Sequence, residues 1–169
     1  MKETKYIIAS LLLICSFEIW ADNDNFSKYR VSIKKSSTPI NLDGIMDEAS
    51  WNSAEVASNF FQKFPSDSTF SKTKTEVRLL YDENNIYLAA ICYDTIPGDP
   101  VITSLKRDWS FPISDAFAVF IDPFNDKTNG FSFGVNPMGA QREGMIDFAG
   151  TMGVTTDWDN KWYSAVKRF

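Results

Sequence analysis

The residues best suited to chemistry in this 169-residue chain are Arg107, Asp108 and Trp109. A guanidinium and a carboxylate side by side can hydrogen-bond paired hydroxyls, because both groups are planar and bidentate. A tryptophan next to them can stack its π-face on the polarised C–H groups of a sugar ring. The three precede an apolar run from Asp115 to Ile121, so they read as a loop ahead of a strand, a common place for binding residues. The alternative is a loop tryptophan packed on a sheet edge beside a surface ion pair. A second, oxygen-rich group comprises Asp122, Asn125, Asp126 and Asn129 and is a candidate calcium site. Calcium takes roughly six to eight oxygens and this spacing is not that of an EF-hand, whereas Asn and Asp are ordinary turn residues. Asp43, Asp47 and Glu48 form a third acidic group, which helix capping explains with fewer assumptions than a metal does.

Composition narrows the chemistry further. The chain has no histidine, which removes the usual zinc ligand, the commonest general base and every Ser-His-Asp or Cys-His arrangement. Two carboxylates about 5 to 9.5 Å apart would suffice for glycoside hydrolysis, but nothing in the sequence places a particular pair across a cleft. With 17 basic and 22 acidic residues the net charge is −5, so a nucleic-acid partner is not expected.

The first 21 residues read as an export signal. Lys2 and Lys5 give a basic start, Tyr6 to Phe17 is mostly apolar, and Ala21 offers a small residue for cleavage. About a dozen apolar residues are too few to cross a bilayer, which needs roughly twenty. Cys15 follows the bulky Ile14, where a lipid-anchored protein would have a small residue. Removing 21 of 169 residues leaves 148, the size of one domain spanning 22–169. Lys2, Lys5, Glu3 and Glu18 cancel, so the charge stays at −5. The expected location is periplasmic, outer-membrane-associated or secreted. Cys92 is the one cysteine left, so no internal disulfide forms, and its apolar neighbours make it a small core residue.

The elements that must position these groups are strands. Tyr29 to Ile33 reads as a first short strand. Thr75 to Tyr81 and Ile86 to Tyr93 are β-rich runs around Asp82-Glu83-Asn84-Asn85, a hairpin turn. Asp115 to Ile121, Phe131 to Val135 and Gly139 to Ile146 follow, and Trp162 to Phe169 alternates as a strand would. Phe117, Phe131 and Phe133 read as core residues. Short strands, many turn residues and little helical periodicity imply an all-β antiparallel sandwich or jelly roll. Because Phe169 lies within the last alternating run, the sequence reads as truncated at its C-terminus, a fragment of a longer protein.

The segment Ile40 to Asn52 carries the most specific pattern. Gly44 permits a positive φ after Asp43, Asp47 can cap a short helical turn, and Trp51 would be its large apolar anchor. Three blocks in order, Asn41-Leu-Asp-Gly-Ile-Met-Asp-Glu-Ala-Ser-Trp51, Tyr81 to Asp94 and Ser114-Asp-Ala-Phe-Ala-Val-Phe-Ile-Asp122, together resemble the family 9 carbohydrate-binding module. Arg107-Asp108, Asn136 to Gly139 and Asp157-Trp158-Asp159 are closer still to a subgroup of long bacterial proteins, in which such a module precedes an outer-membrane barrel. The resemblance implies a β-sandwich that binds a glycan or polysaccharide without catalysing, with a barrel or hydrolase domain as partner in the same protein. It adds Asp115 and Asn136 to Arg107, Asp108 and Trp109 as ligand-binding candidates. The family's binding glutamate and arginine fall at Ala118 and Gly134 here, which leaves open a structural docking module without sugar binding, or a hydrolase domain.

Overall fold

Leu80 has no exposed surface and lies against Trp51 and Ala54 in a buried apolar cluster. The computed structural model describes residues 29–65, 67–95, 97–147 and 153–169. The proposed export segment, residues 1–21, lies outside the described residues. Among the described residues of the compact unit Val31–Phe169 there are eight strands, one short α-helix and a 3-10 turn at Phe111–Ile113: β1 (Lys34–Lys35), α1 (Ala49–Ser53), β2 (Val56–Ala57), β3 (Thr75–Tyr81), β4 (Ile86–Cys92), β5 (Phe117–Ile121), β6 (Asn129–Val135), β7 (Gln141–Asp147) and β8 (Val154–Thr155). They form two four-stranded sheets, the all-β sandwich expected. Every pairing is antiparallel except that of β1 with β3. No described helix is long and apolar enough to cross a membrane.

In the first sheet β3 is the centre. It pairs with β4 along its whole length, from Thr75↔Cys92 to Tyr81↔Ile86. Its other edge is shared by β2 at Val77 and Arg78 and by β1 at Leu80 and Tyr81. The first strand is therefore Lys34–Lys35 and not Tyr29–Ile33, because only this short stretch of edge is left free. Leu80 and Tyr87 are cross-strand partners and face α1 together.

The helix itself is fixed from outside. Glu48 occupies its N-cap position, and Asp47 does not cap it as expected. The longer Glu48 side chain instead accepts hydrogen bonds from the Asn41 N–H (2.6 Å) and the Trp51 indole N–H (2.9 Å). Ser50 is buried, and its hydroxyl accepts from the N–H groups of Ser37 (3.0 Å) and Thr38 (3.1 Å). Asp43 braces the preceding turn by accepting from the Ile45 N–H, and Gly44 there has φ +82°. A Cβ at Gly44 would stand 2.9 Å from the Lys167 nitrogen, so only glycine admits the C-terminal run at this point.

The second sheet is a meander in the order β5-β6-β7-β8. Phe131 and Phe133 on β6 are covered by Trp158 and Trp162, with ring centroids 4.6 to 6.1 Å apart. Trp162 to Phe169 forms no strand, contrary to expectation. The Trp162 ring instead packs against Phe133 of β6. Ser164 and the Trp162 carbonyl accept hydrogen bonds from the Gln141 amide. Cys92 also departs from expectation, being exposed as the last residue of β4 and not part of the core. β7 begins at Gln141 because Asn136–Gly139 turns first, with Gly139 at φ +81°.

Two outcomes follow from this packing. Trp51→Ala removes the largest ring from the Leu80 cluster and the indole donor to Glu48. It is expected to cost about 3–5 kcal/mol in urea denaturation. The β3–β4 turn is acid-sensitive. The Tyr87 hydroxyl (2.6 Å) and the N–H groups of Asn84 and Asn85 hold the Asp82 carboxyl at about 2, below its ordinary 3.8. Its contribution is therefore complete above the unfolded value and is lost as pH falls from about 4 to about 2. Tyr87→Phe should shrink that acid-limb loss when denaturation midpoints are compared between about pH 5 and pH 2.

Candidate functional site

Arg107, Asp108 and Trp109 do lie on a loop before a strand, but each is engaged by protein. Trp109 is only 3% exposed, donates its indole N–H to the Ala140 carbonyl (3.0 Å) and stacks on Phe111 at 5.6 Å. Its faces are thereby withheld from a sugar ring. Arg107 ion-pairs with Glu143, a side chain with no exposed surface, and also reaches Asp159, the Asn160 carbonyl and the Gln141 side chain. Asp108, at φ 57°, accepts from the Glu143 N–H and donates its own N–H to the Gln141 carbonyl. Glu143 closes the group by accepting from the Trp162 indole N–H at 3.1 Å.

Asn136 is buried and belongs to the same joint. Its amide donates to the Ser104 carbonyl, and its oxygen accepts from the N–H groups of Met138 and Ala140, each at 3.0 Å. Asp115 holds a different joint, accepting from the Val101 N–H at 2.7 Å. Thus four of the five candidates converge on the loop 104–109 and the turn 136–141, where they fasten backbone. Asp122 and Asp126 likewise spend their oxygens on turn N–H groups: Phe124, Asp126 and Lys127 donate to the first, Thr128 and Asn129 to the second. Among the described residues no cluster of three or more acidic, cysteine or histidine side chains could hold a metal ion.

A groove of about 450 Å³ opens beside this joint, lined by Asp108, Trp109, Phe111, Phe120, Arg142 and Thr156 among others. Strand register brings two of its lining residues, Phe120 and Arg142, to one face of the sheet. Ala118, Gly134 and Arg142 form one cross-strand row, and Phe120, Ser132 and Gly144 the next, all on one face of the sheet. Two large side chains therefore flank four small ones. Phe120 is 54% exposed, and the Arg142 guanidinium stands 5.9 Å from the centre of the Phe111 ring. An exposed ring, a guanidinium and a carboxylate in one hollow can stack on a sugar and bond its hydroxyls. A similar hollow at Asp82–Asn85 has its acids already occupied, Asp82 by the turn and Glu83 by Lys35.

Residues 42–160 match the family described as carbohydrate family 9 binding domain-like. The chain belongs to that family. A family 9 domain is a carbohydrate-binding module, and binding without catalysis is what membership supports. The chain has no match among curated proteins or solved structures. In this family 9 domain the sequence pattern alone did not single out Arg142, Phe111, Phe120, Glu143 or Trp162. Alternation along β5 separates Phe120 from Phe117, which was a usable signal. The Gly134–Arg142 pairing exists only once register is known.

The buried carboxylate yields an asymmetric prediction. Arg107→Ala leaves Glu143 charged and enclosed without its cation, at a cost of about 3–5 kcal/mol. Adding Glu143→Gln removes that charge while keeping an acceptor for Trp162. The double variant should therefore recover most of the loss in a thermodynamic cycle measured by denaturation.

Proposed function

We propose that this chain is an exported, non-catalytic module that binds a glycan in the Phe120–Arg142 groove and holds it near a partner that degrades or imports it. The observation that carries this reading is the pairing of an open aromatic face with a guanidinium and a carboxylate in one hollow of a family 9 domain. Phe120 offers the sugar an apolar surface, and Asp108 and Arg142 offer an acceptor and donors on either side of it. Phe111 is braced by Trp109, so the wall of the groove is ordered before a ligand arrives. The use of the loop acids Asp108 and Asp115 as backbone acceptors favours binding over hydrolysis.

A second reading is a structural or docking module of an outer-membrane barrel protein, with sugar binding lost. The burial of Trp109 and the small residues Ala118 and Gly134 favour it.

Calorimetric titration of the domain with soluble xylan, cellulose oligomers and other glycans separates the two. Under the first reading at least one glycan binds, and Phe120→Ala weakens it about tenfold, roughly 1.4 kcal/mol, with the melting temperature little changed. No heat with any glycan would leave the docking reading standing. Reducing-sugar release by the purified domain would contradict both.

A further inference from the structure

We infer that the groove selects an acidic saccharide, a sugar bearing a carboxylate, and that Arg142 is the residue that reads the acid. The inference rests on the groove being the glycan site. Four arginines lie in the unit Val31–Phe169. Arg78 pairs with Glu76, Arg107 with Glu143 and Asp159, and Arg168 with Asp99. Arg142 alone has no carboxylate within ion-pairing reach and no hydrogen-bond acceptor among the described residues, and its Nε is buried without a partner. A guanidinium left in this state, beside the Phe111 and Phe120 rings, is poised for an anion.

The surroundings specify which anion. Cross-strand from Arg142 stand Gly134 and then Ala118, neither long enough to cover the guanidinium, whose recorded contact among the described residues is the Phe111 ring at 5.9 Å. A carboxylate matches the planar fork with two parallel hydrogen bonds, whereas neutral hydroxyls satisfy N–H groups and leave the charge uncompensated. Phe120 supplies an exposed apolar face, which favours a ring carrying the acid over a small free carboxylate. Asp108 lines the same groove without pairing to Arg142. It repels an acid placed at its own end and accepts a hydroxyl there, which fixes the ligand's direction. The chain's net charge of −5 disfavours loose binding of polyanions, so acid recognition would have to come from Arg142 itself.

The test is calorimetry on the whole chain with galacturonic- and glucuronic-acid oligomers, their methyl esters, and neutral oligomers of matching length. We expect the free acids to bind at least about tenfold more tightly than the esters. That preference should vanish in Arg142→Gln and survive in part in Arg142→Lys, while Phe120→Ala weakens acid and ester alike. Equal affinity for acid and ester, or a preference that persists in Arg142→Gln, overturns the inference and leaves glycan binding intact. Failure of every saccharide to bind overturns the groove as a site along with it. The ester comparison uses the unaltered protein, so it decides the matter even if the Arg142 variants do not fold.

Discussion

The structure depends on a single enclosed carboxylate. Glu143 sits in the middle of β7 with no exposed surface, and a charge in that position is tolerable only with partners. Arg107 supplies the compensating cation from the loop ahead of β5, and Trp162 donates an indole N–H from the C-terminal run. Three segments distant in sequence are thus fixed to one side chain. The consequences spread from there. Arg107 in its paired position places Asp108 and Trp109 against the turn 136–141, and Trp162 in its position seals Phe133.

The two faces of the β5–β7 sheet have separate uses because side chains alternate. One face carries Phe131, Phe133 and Glu143 and is closed by Trp158 and Trp162. The opposite face carries Ala118, Ser132, Gly134 and Gly144 between Phe120 and Arg142. Aromatic packing stabilises the first face, and Phe120 and Arg142 on the second line the groove. β8 draws close over Gly144, where a Cβ would lie 2.4 Å from the Thr155 carbonyl oxygen. The strand that borders the groove can therefore approach only because that residue has no side chain.

Family membership and site chemistry then divide. The family assignment supports carbohydrate binding, yet the loop residues that most resemble a binding cluster are committed to holding backbone in place. The groove draws instead on Arg142 of β7 and Phe120 of β5. A guanidinium on a strand is held more rigidly than one on a loop, and rigid placement favours bidentate recognition.

The sequence by itself determined the all-β class, the β3–β4 hairpin with its Asp82 turn, and the anchoring role of Trp51. Each of these rests on local alternation, turn chemistry or a short-range contact, which neighbouring residues specify. It also made Arg107, Asp108 and Trp109 visible as a cluster, since their types are adjacent in the chain. Tertiary structure alone decided that Trp109 is buried, that Glu143 is the counter-charge of Arg107, and that Arg142 stands unpaired beside Gly134. It likewise decided that Trp162 packs against Phe133 and is not part of a strand. Those outcomes depend on strand register and on contacts between residues up to several dozen positions apart, and a one-residue slip in register would turn each strand's faces over.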